Sequence, residues 1–226
     1  MIRRHYDSET KLSWVLAALA GVLAATAYTH SEGYFVTFMT GNAGRAVLGV
    51  FDGNEWLSIS AAALLFSFLG GVLTASVFRR RVWPNQPHGA LLLTAAALLA
   101  ATLLDWTVAG GPSLPLPLLP ILLVAYGVGA LNTTFVRDGE VSIPLSYVTG
   151  TVVKLGQGIE RHFNGGSIAD WLGHFMLLAG YTSGAAVGGC ISLVAGGTWM
   201  LGIATAVCVL AMWYTHRYVD RRDVWS

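Results

Sequence analysis

The chain has 226 residues, of which 54% are hydrophobic and 11% are charged, and its formal net charge is +1. Soluble domains carry about 25% charged residues, so this composition excludes an ordinary soluble protein and indicates one integral membrane domain over residues 1–226. The near-neutral charge gives no reason to expect a nucleic-acid partner. The lipid bilayer is the expected partner.

Six stretches of the chain are apolar over about 20 residues, the length that crosses a bilayer as an α-helix. They cover residues 13–30, 57–78, 88–108, 115–135, 168–193 and 197–215. The eight tryptophans lie at or just beyond the ends of these stretches, as expected for an aromatic belt at the membrane surfaces. The sequence therefore predicts an all-α integral membrane protein with six transmembrane helices.

A short phrase occurs twice, once in each half, inside two further apolar stretches at residues 34–50 and 143–159. Residues 37–45 read Thr-Phe-Met-Thr-Gly-Asn-Ala-Gly-Arg, and residues 146–154 read Ser-Tyr-Val-Thr-Gly-Thr-Val-Val-Lys. Hydroxyl, aromatic, Thr-Gly and cationic positions match between the two phrases. The match predicts a duplicated membrane unit.

Lys and Arg residues form three clusters, which predict the topology. The clusters are Arg79-Arg80-Arg81, the amino-terminal Arg3, Arg4 and Lys11, and the carboxyl-terminal Arg217, Arg221 and Arg222. We expect all three clusters, and therefore both termini, in the cytoplasm. A full crossing by residues 34–50 would place the triple arginine outside, so this segment and its counterpart are expected to be broken or re-entrant.

Three full spans in each half would make the two repeats antiparallel, an inverted architecture found in many transporters. Repeat one covers about residues 12–110, and repeat two covers about residues 114–216. The alternative is eight full spans with parallel repeats, and it leaves the triple arginine outside the cell.

The two Thr-Gly pairs indicate the candidate binding site. Glycine tolerates unusual backbone angles, and a neighbouring Thr or Asn can cap the following helix, whose free N–H groups and positive dipole end favour an anion. Arg45 and Lys154 follow these glycines by four residues, and a cation inside a membrane needs a function or a buried partner unless it snorkels to the interface. The predicted substrate-binding residues are Thr40, Gly41, Asn42, Arg45, Thr149, Gly150, Thr151 and Lys154.

Irregular backbone at membrane depth is tolerated only where it is buried in protein or lines a wet cavity, so the two phrases are expected to face each other. Phe38, Tyr147 and Asn132 are the candidate cavity-lining residues. Plain packing is the alternative for both aromatic residues, and bonding to neighbouring backbone is the alternative for Asn132. No metal-ligand spacing and no nucleophile, histidine and acid set is recognisable, so we expect no metal, no cofactor and no enzyme.

The segments Phe35-Val36-Thr37-Phe38-Met39-Thr40-Gly41-Asn42 and Pro144-Leu145-Ser146-Tyr147-Val148-Thr149-Gly150-Thr151 resemble the YoaK family of bacterial multi-pass inner-membrane proteins. The resemblance covers nearly the whole chain. It implies a bacterial inner-membrane location and the fold, whereas members of that family are treated as uncharacterised in activity. In many relatives the first span carries an acidic residue after an Ala-Gly pair, and here the aligned position is Ala24.

These observations together predict a membrane transporter or channel for a small solute, preferably an anion, bound between two opposed Thr-Gly helix breaks. The competing class is a non-transporting membrane protein that assists assembly or interacts with lipid. A cavity that joins the two breaks would favour the first class, and a dry, packed centre would favour the second. A homo-oligomer is left open.

Overall fold

The computed structural model describes residues 8–84, 86–108 and 116–220 of the chain. This part contains helices α1 (Ser8–Thr29), α2 (Met39–Phe51), α3 (Glu55–Arg81), α4 (Pro87–Val108), α5 (Leu118–Leu131), α6 (Val148–Phe163), α7 (Ala169–Ser192) and α8 (Gly197–Tyr214). Strands β1 (Val136–Arg137) and β2 (Glu140–Val141) pair as an antiparallel hairpin between α5 and α6. A π-helical turn, Thr215–Val219, continues α8. Arg3, Arg4, Arg221 and Arg222 lie outside the described residues.

Five helices of the described part are long and apolar enough to cross a membrane: α1, α3, α4, α7 and α8 with its π-helical turn. They fall on five of the six predicted stretches, so the prediction of an all-α, multi-pass membrane protein is confirmed. The remaining stretch contains α5, which is apolar but has only 14 residues. Its length of about 21 Å is shorter than a hydrocarbon core of about 30 Å, so the sixth crossing stays a prediction.

Helices α1 and α7 run parallel to each other and pack at very short range through glycine. A Cβ atom on Gly184 would lie 2.0 Å from the carbonyl oxygen of Ala18, and one on Gly21 would lie 2.1 Å from that of Tyr181. Both distances are far below van der Waals contact. Small residues at such interfaces let helix backbones approach in lipid, where dispersion contacts replace the hydrophobic effect.

Helices α3 and α5 form a second parallel pair of the same kind. A Cβ atom on Gly71 would lie 1.9 Å from the carbonyl oxygen of Tyr126, and one on Gly129 would lie 2.1 Å from a carbonyl oxygen of α3. Ser67 adds a hydrogen bond from its hydroxyl to the carbonyl oxygen of Leu122, at 2.7 Å. The two glycine-rich pairs are the closest packed parts of the bundle's frame.

Helices α4 and α8 pack antiparallel. Near the end of α4 the buried Asp105 accepts a hydrogen bond from Thr198, which lies in the first turn of α8. Near the start of α4 the carbonyl oxygen of Leu91 accepts the thiol of Cys208 from the second half of α8, at 3.6 Å. Thr94 of α4 also donates to a carbonyl oxygen of α5 at 3.0 Å, so α4 joins α8 to the α3–α5 pair.

Residues 30–38 and helix α2 together form a hairpin. The hairpin begins and ends at the same end of the bundle. Arg45, in the middle of α2, donates to the carbonyl oxygen of Gly33 in the preceding segment, at 2.8 Å. Trp56, at the start of α3, donates to Glu32, shortly after the end of α1, at 3.3 Å. The end of α1 and the start of α3 are therefore neighbours, although α2 lies between them in the sequence.

Replacement of Gly184 by alanine is expected to destabilise the α1–α7 pair, because the new Cβ would overlap a carbonyl oxygen and force the helices apart. Overpacking of this kind costs about 1–3 kcal/mol. The measurement is the melting temperature of the purified protein in detergent. Gly189→Ala is the matched control on the same helix, since a Cβ there meets nothing within 4 Å. An equal effect of the two substitutions would contradict the packing account.

A central cavity between two helix beginnings

A cavity of about 600 Å³ lies between the first turns of α2 and α6. Its wall comes from both repeated phrases and from α3, α5 and α7. The lining residues are Thr37, Phe38, Met39, Thr40, Phe68, Val72, Asn132, Thr133, Val141, Pro144, Ser146, Tyr147, Val148, Thr149 and Tyr181. Phe68 and Tyr181 lie near the midpoints of α3 and α7, so the cavity is at the middle level of the bundle.

Both helices begin at the cavity without a side-chain cap. The residues that precede their first turns are Phe38 and Tyr147, and neither makes a capping hydrogen bond. The first intrahelical N–H donors are those of Asn42 and Thr151, so the N–H groups before them have no acceptor within their own helix. The prediction that Thr40, Asn42, Thr149 or Thr151 caps these helices is therefore wrong: aromatic residues occupy both cap positions.

The glycines of the two Thr-Gly pairs lie inside the first helical turns, and neither has a positive φ angle. A Cβ atom on Gly41 would lie 2.2 Å from the ring of Phe38, and one on Gly150 would lie 2.2 Å from the ring of Tyr147. Each aromatic ring folds back over the first turn of its own helix. Glycine is thus required for space beneath the ring rather than for an unusual backbone angle.

Asn42 and Thr151 face into the protein and do not line the cavity. The amide of Asn42 is fully buried and donates to the carbonyl oxygen of Phe35 at 2.6 Å, which ties the segment before α2 to the helix. The hydroxyl of Thr151 is buried and donates to the carbonyl oxygen of Tyr147 at 3.0 Å. Both side chains therefore hold the hairpins in shape.

The two cations are not brought together at the cavity. The guanidinium of Arg45 lies 4.2 Å from the ring centroid of Phe35, and it donates to the carbonyl oxygen of Gly33. Lys154 is exposed at the protein surface. Neither residue is part of the cavity wall. The contacts of Arg45 fit a structural partner, one of the explanations for an intramembrane cation.

Hydroxyl and amide groups in the wall are organised by contacts between helices. The hydroxyls of Thr37 and Tyr181 are 2.8 Å apart. The amide nitrogen of Asn132 donates to the hydroxyl of Ser146 at 2.8 Å, and its amide oxygen accepts the backbone N–H of Ser146 at 3.0 Å. Both repeated phrases are thereby anchored at their first residue, one to α7 and the other to the end of α5.

A family model described as "Protein of unknown function (DUF1275)" matches residues 12–214. The chain belongs to the DUF1275 family. It is also similar to the UPF0700 transmembrane protein RA0705 of Rhizobium meliloti (strain 1021), with 26% identity over 230 residues that cover 99% of this chain and 95% of that protein. No solved structure matches the chain. The predicted membership of an uncharacterised membrane family is confirmed, whereas the YoaK name stays a prediction.

Tyr181 and Phe68 are among the wall residues of this DUF1275 protein that were not predicted from the sequence. Tyr181 lies in the middle of an apolar stretch, where a phenol hydroxyl needs a hydrogen-bond partner. Its position in the sequence could therefore have indicated a polar contact at this depth. Phe68 is one of many apolar residues on α3 and carries no such signal. Phe38, Tyr147 and Asn132, which the sequence assigned to the cavity, do line it.

The wall of the cavity offers hydroxyls, one side-chain amide and aromatic rings. Of the lining residues that the structure describes, none carries a charged side chain. Positive potential at the cavity therefore has to come from the backbone, at the amino ends of α2 and α6.

Gly41→Ala is expected to lower the free energy of unfolding by about 0.5–1.5 kcal/mol, because the new Cβ forces the half-exposed ring of Phe38 out of its rotamer. In a Phe38→Ala background the same substitution is expected to cost little, since the overlapping ring is gone. The measurement is a double-mutant cycle from unfolding in detergent. Gly44→Ala is the control, as a Cβ there meets nothing within 4 Å. An equal cost of Gly41→Ala in both backgrounds would refute the ring-over-glycine contact.

Proposed function

We propose that this protein moves a small solute, preferably an anion, across the membrane and binds it in the central cavity. The observation that carries the proposal is that two uncapped helix beginnings open onto one cavity at the middle level of the bundle. In secondary transporters, interrupted helices hold the substrate in the same way, with half-helix amino ends directed at its anionic groups.

The chemistry of the cavity favours a small organic anion with an apolar part. Each helix amino end is equivalent to about half a positive charge, and N–H groups of its first turn can donate to a carboxylate or a similar head group. In α6 the N–H of Val148 already bonds the carbonyl oxygen of Ser146 at 3.0 Å, which leaves the N–H groups of Thr149 and Gly150 for a ligand. The largely apolar wall lowers the local dielectric, which strengthens these interactions. Thr40 and Thr149 add hydroxyls to the first turns, and the rings of Phe38 and Tyr147 give the apolar part a surface. A volume near 600 Å³ is within the range of small-molecule sites.

The packing supports inverted repeats, with α1–α4 as one unit and α5–α8 as the other. In this division α1 corresponds to α5, and α3 corresponds to α7. The α1–α7 pair therefore corresponds to the α5–α3 pair, and both pairs are parallel and in contact through glycine. Helices α4 and α8 are counterparts in this exchange, and they pack antiparallel. Parallel repeats would require these counterparts to point the same way. We therefore propose that the two inverted repeats cover about residues 12–110 and 114–216.

The same directions support six crossings, with α2 and α6 as re-entrant segments. Helix α1 is antiparallel to α8, and α8 is antiparallel to α4, so α1 and α4 point the same way. Since α3 and α4 are joined by a short loop, α3 runs opposite to α1. The hairpin that contains α2 therefore returns to the side from which it started, as the neighbouring Trp56 and Glu32 indicate.

Arg137 and Arg79 lie together at one end of the bundle. Arg137 in β1 pairs with Glu9 in the first turn of α1 at 3.1 Å. Arg79, near the end of α3, donates to the carbonyl oxygen of Thr134 at 3.0 Å, so it lies beside the same hairpin. We propose that this end is cytoplasmic in a bacterial inner membrane and that both termini are on that side.

A second candidate function is binding of a lipid chain without transport. Phe38 is 48% exposed and Tyr147 is 58% exposed, so the cavity opens at the surface of the protein between two aromatic rings. An acyl chain would suit the carbon-rich wall. A hydrophilic anion and a lipid chain would therefore compete for one site, and a binding experiment separates them.

A thermal-shift screen of the purified protein against small organic and inorganic anions is expected to find a compound that raises its melting temperature. A ligand at 100 times its Kd adds about 2.7 kcal/mol of stability. Thr149→Phe, which fills the cavity, is expected to weaken binding at least tenfold. Thr182→Phe, on the exposed face of α7 and outside the wall, is the matched control. Stabilisation by fatty acids alone, without anion flux in vesicles, would establish the second candidate instead.

The proposed topology predicts opposite accessibility for single cysteines at positions 52 and 86. In a Cys190→Ser background, which removes the exposed native thiol, Asp52→Cys is expected to react with an impermeant maleimide from outside. Gln86→Cys is expected to react only in inside-out vesicles. Both positions are exposed, so the label can reach them. Eight spans with parallel repeats would give the reverse pattern.

A further inference from the structure

Two histidines and one aspartate converge where the start of α4 meets the π-helical turn after α8. Nδ1 of His88 contacts the carboxylate of Asp220 directly, and Nδ1 of His216 lies 3.5 Å from the same carboxylate oxygen. The imidazole rings of the two histidines are 4.7 Å apart. None of these residues belongs to the wall of the central cavity.

The spacing of the donor atoms suits a transition-metal ion. One ligand atom from each of the three residues lies within 4.8 Å of the others. Tetrahedral coordination with metal–ligand bonds of about 2.1 Å places donors about 3.4 Å apart. Nδ1 of His216 is already 3.5 Å from the carboxylate of Asp220, and a small rotation of His88 away from its direct contact with Asp220 would bring the three donors to that separation. Two imidazoles and one carboxylate are a ligand set that proteins use for zinc.

A buried, unsatisfied oxygen provides a second, independent observation. The side chain of Asp220 is only 7% exposed, and its Oδ1 has no hydrogen-bond partner in the part of the chain that the structure describes. A carboxylate oxygen removed from water without a partner is costly. A cation at the cluster would satisfy it. The side chain of His216 is 61% exposed, so solvent can enter and fill a fourth ligand position.

Local structure holds the three ligands in place. The N–H of Asp220 bonds the carbonyl oxygen of Thr215 at 3.1 Å, five residues earlier, and this wider turn is the π-helical geometry that often marks functional sites. The ring of Trp83 packs at 6.2 Å from that of His88 and fixes its position at the start of α4.

We propose that His88, His216 and Asp220 bind one divalent transition-metal ion of the zinc class. Imidazole nitrogen selects such ions over Mg²⁺ or Ca²⁺, which prefer oxygen ligands. The bound ion would hold the π-helical turn after α8 against the start of α4. His88 and Asp220 are 132 residues apart in the chain. Because the ion binds only the folded arrangement, it would stabilise the bundle by an amount that grows with the logarithm of its concentration above Kd.

The test is a titration of the full-length, metal-stripped and tag-free protein with Zn²⁺, and with Co²⁺ as a spectroscopic probe of ligand geometry. The expected result is one ion per chain, a higher melting temperature with Zn²⁺ and no effect of Mg²⁺. His216→Ala is expected to weaken Zn²⁺ binding at least tenfold while the metal-free protein stays folded, because this side chain is largely exposed.

His162→Ala is the control for an exposed histidine elsewhere, and it is expected to bind Zn²⁺ like the wild type. Asp220→Asn should reproduce the loss seen with His216→Ala. Equal Zn²⁺ binding by the wild type and His216→Ala would overturn the proposal, as would a wild-type protein that binds no Zn²⁺. In either case the cluster would contain a His88–Asp220 hydrogen bond only.

Discussion

Two helices, α2 and α6, begin in the middle of the bundle, and their first N–H groups have no acceptor in their own helix. In lipid such groups cannot be left facing hydrocarbon, because each unsatisfied group costs several kcal/mol. The protein meets this constraint by turning both helix beginnings toward one cavity between the helices. The remaining helices provide the frame around it, so the cavity and the two hairpins are parts of a single arrangement.

The frame depends on very close contact between helix backbones. The α1–α7 and α3–α5 pairs approach until a single methyl group at Gly184 or Gly71 would overlap a carbonyl oxygen. This closeness brings the middle of α7 and the middle of α3 to the cavity, where Tyr181 and Phe68 complete the wall. Backbone packing within the two helix pairs therefore sets the shape of the cavity.

At the cavity, positive potential comes from the amino ends of α2 and α6, and the cationic side chains of the two repeated phrases lie elsewhere. Arg45 is held by Phe35 and a backbone carbonyl, and Lys154 is exposed away from the cavity wall. A charged side chain in the cavity would bind an anion strongly and release it slowly. Backbone dipoles give weaker attraction, and their position is fixed by the fold. Under the proposed transport function, weaker attraction would let a bound anion leave the cavity more easily.

The sequence by itself determined the membrane class, five long helices, and the two repeated phrases that form most of the cavity wall. These are local properties: apolar runs of sufficient length and a phrase with matching chemistry. Tertiary structure decided the rest. The sequence singled out Gly41 for its backbone freedom, whereas in the structure it leaves space for the ring of Phe38, and that depends on a side-chain rotamer that spacing does not encode. The cluster of His88, His216 and Asp220 was invisible because its members come from opposite halves of the chain. Only the antiparallel packing of α4 on α8 brings them together.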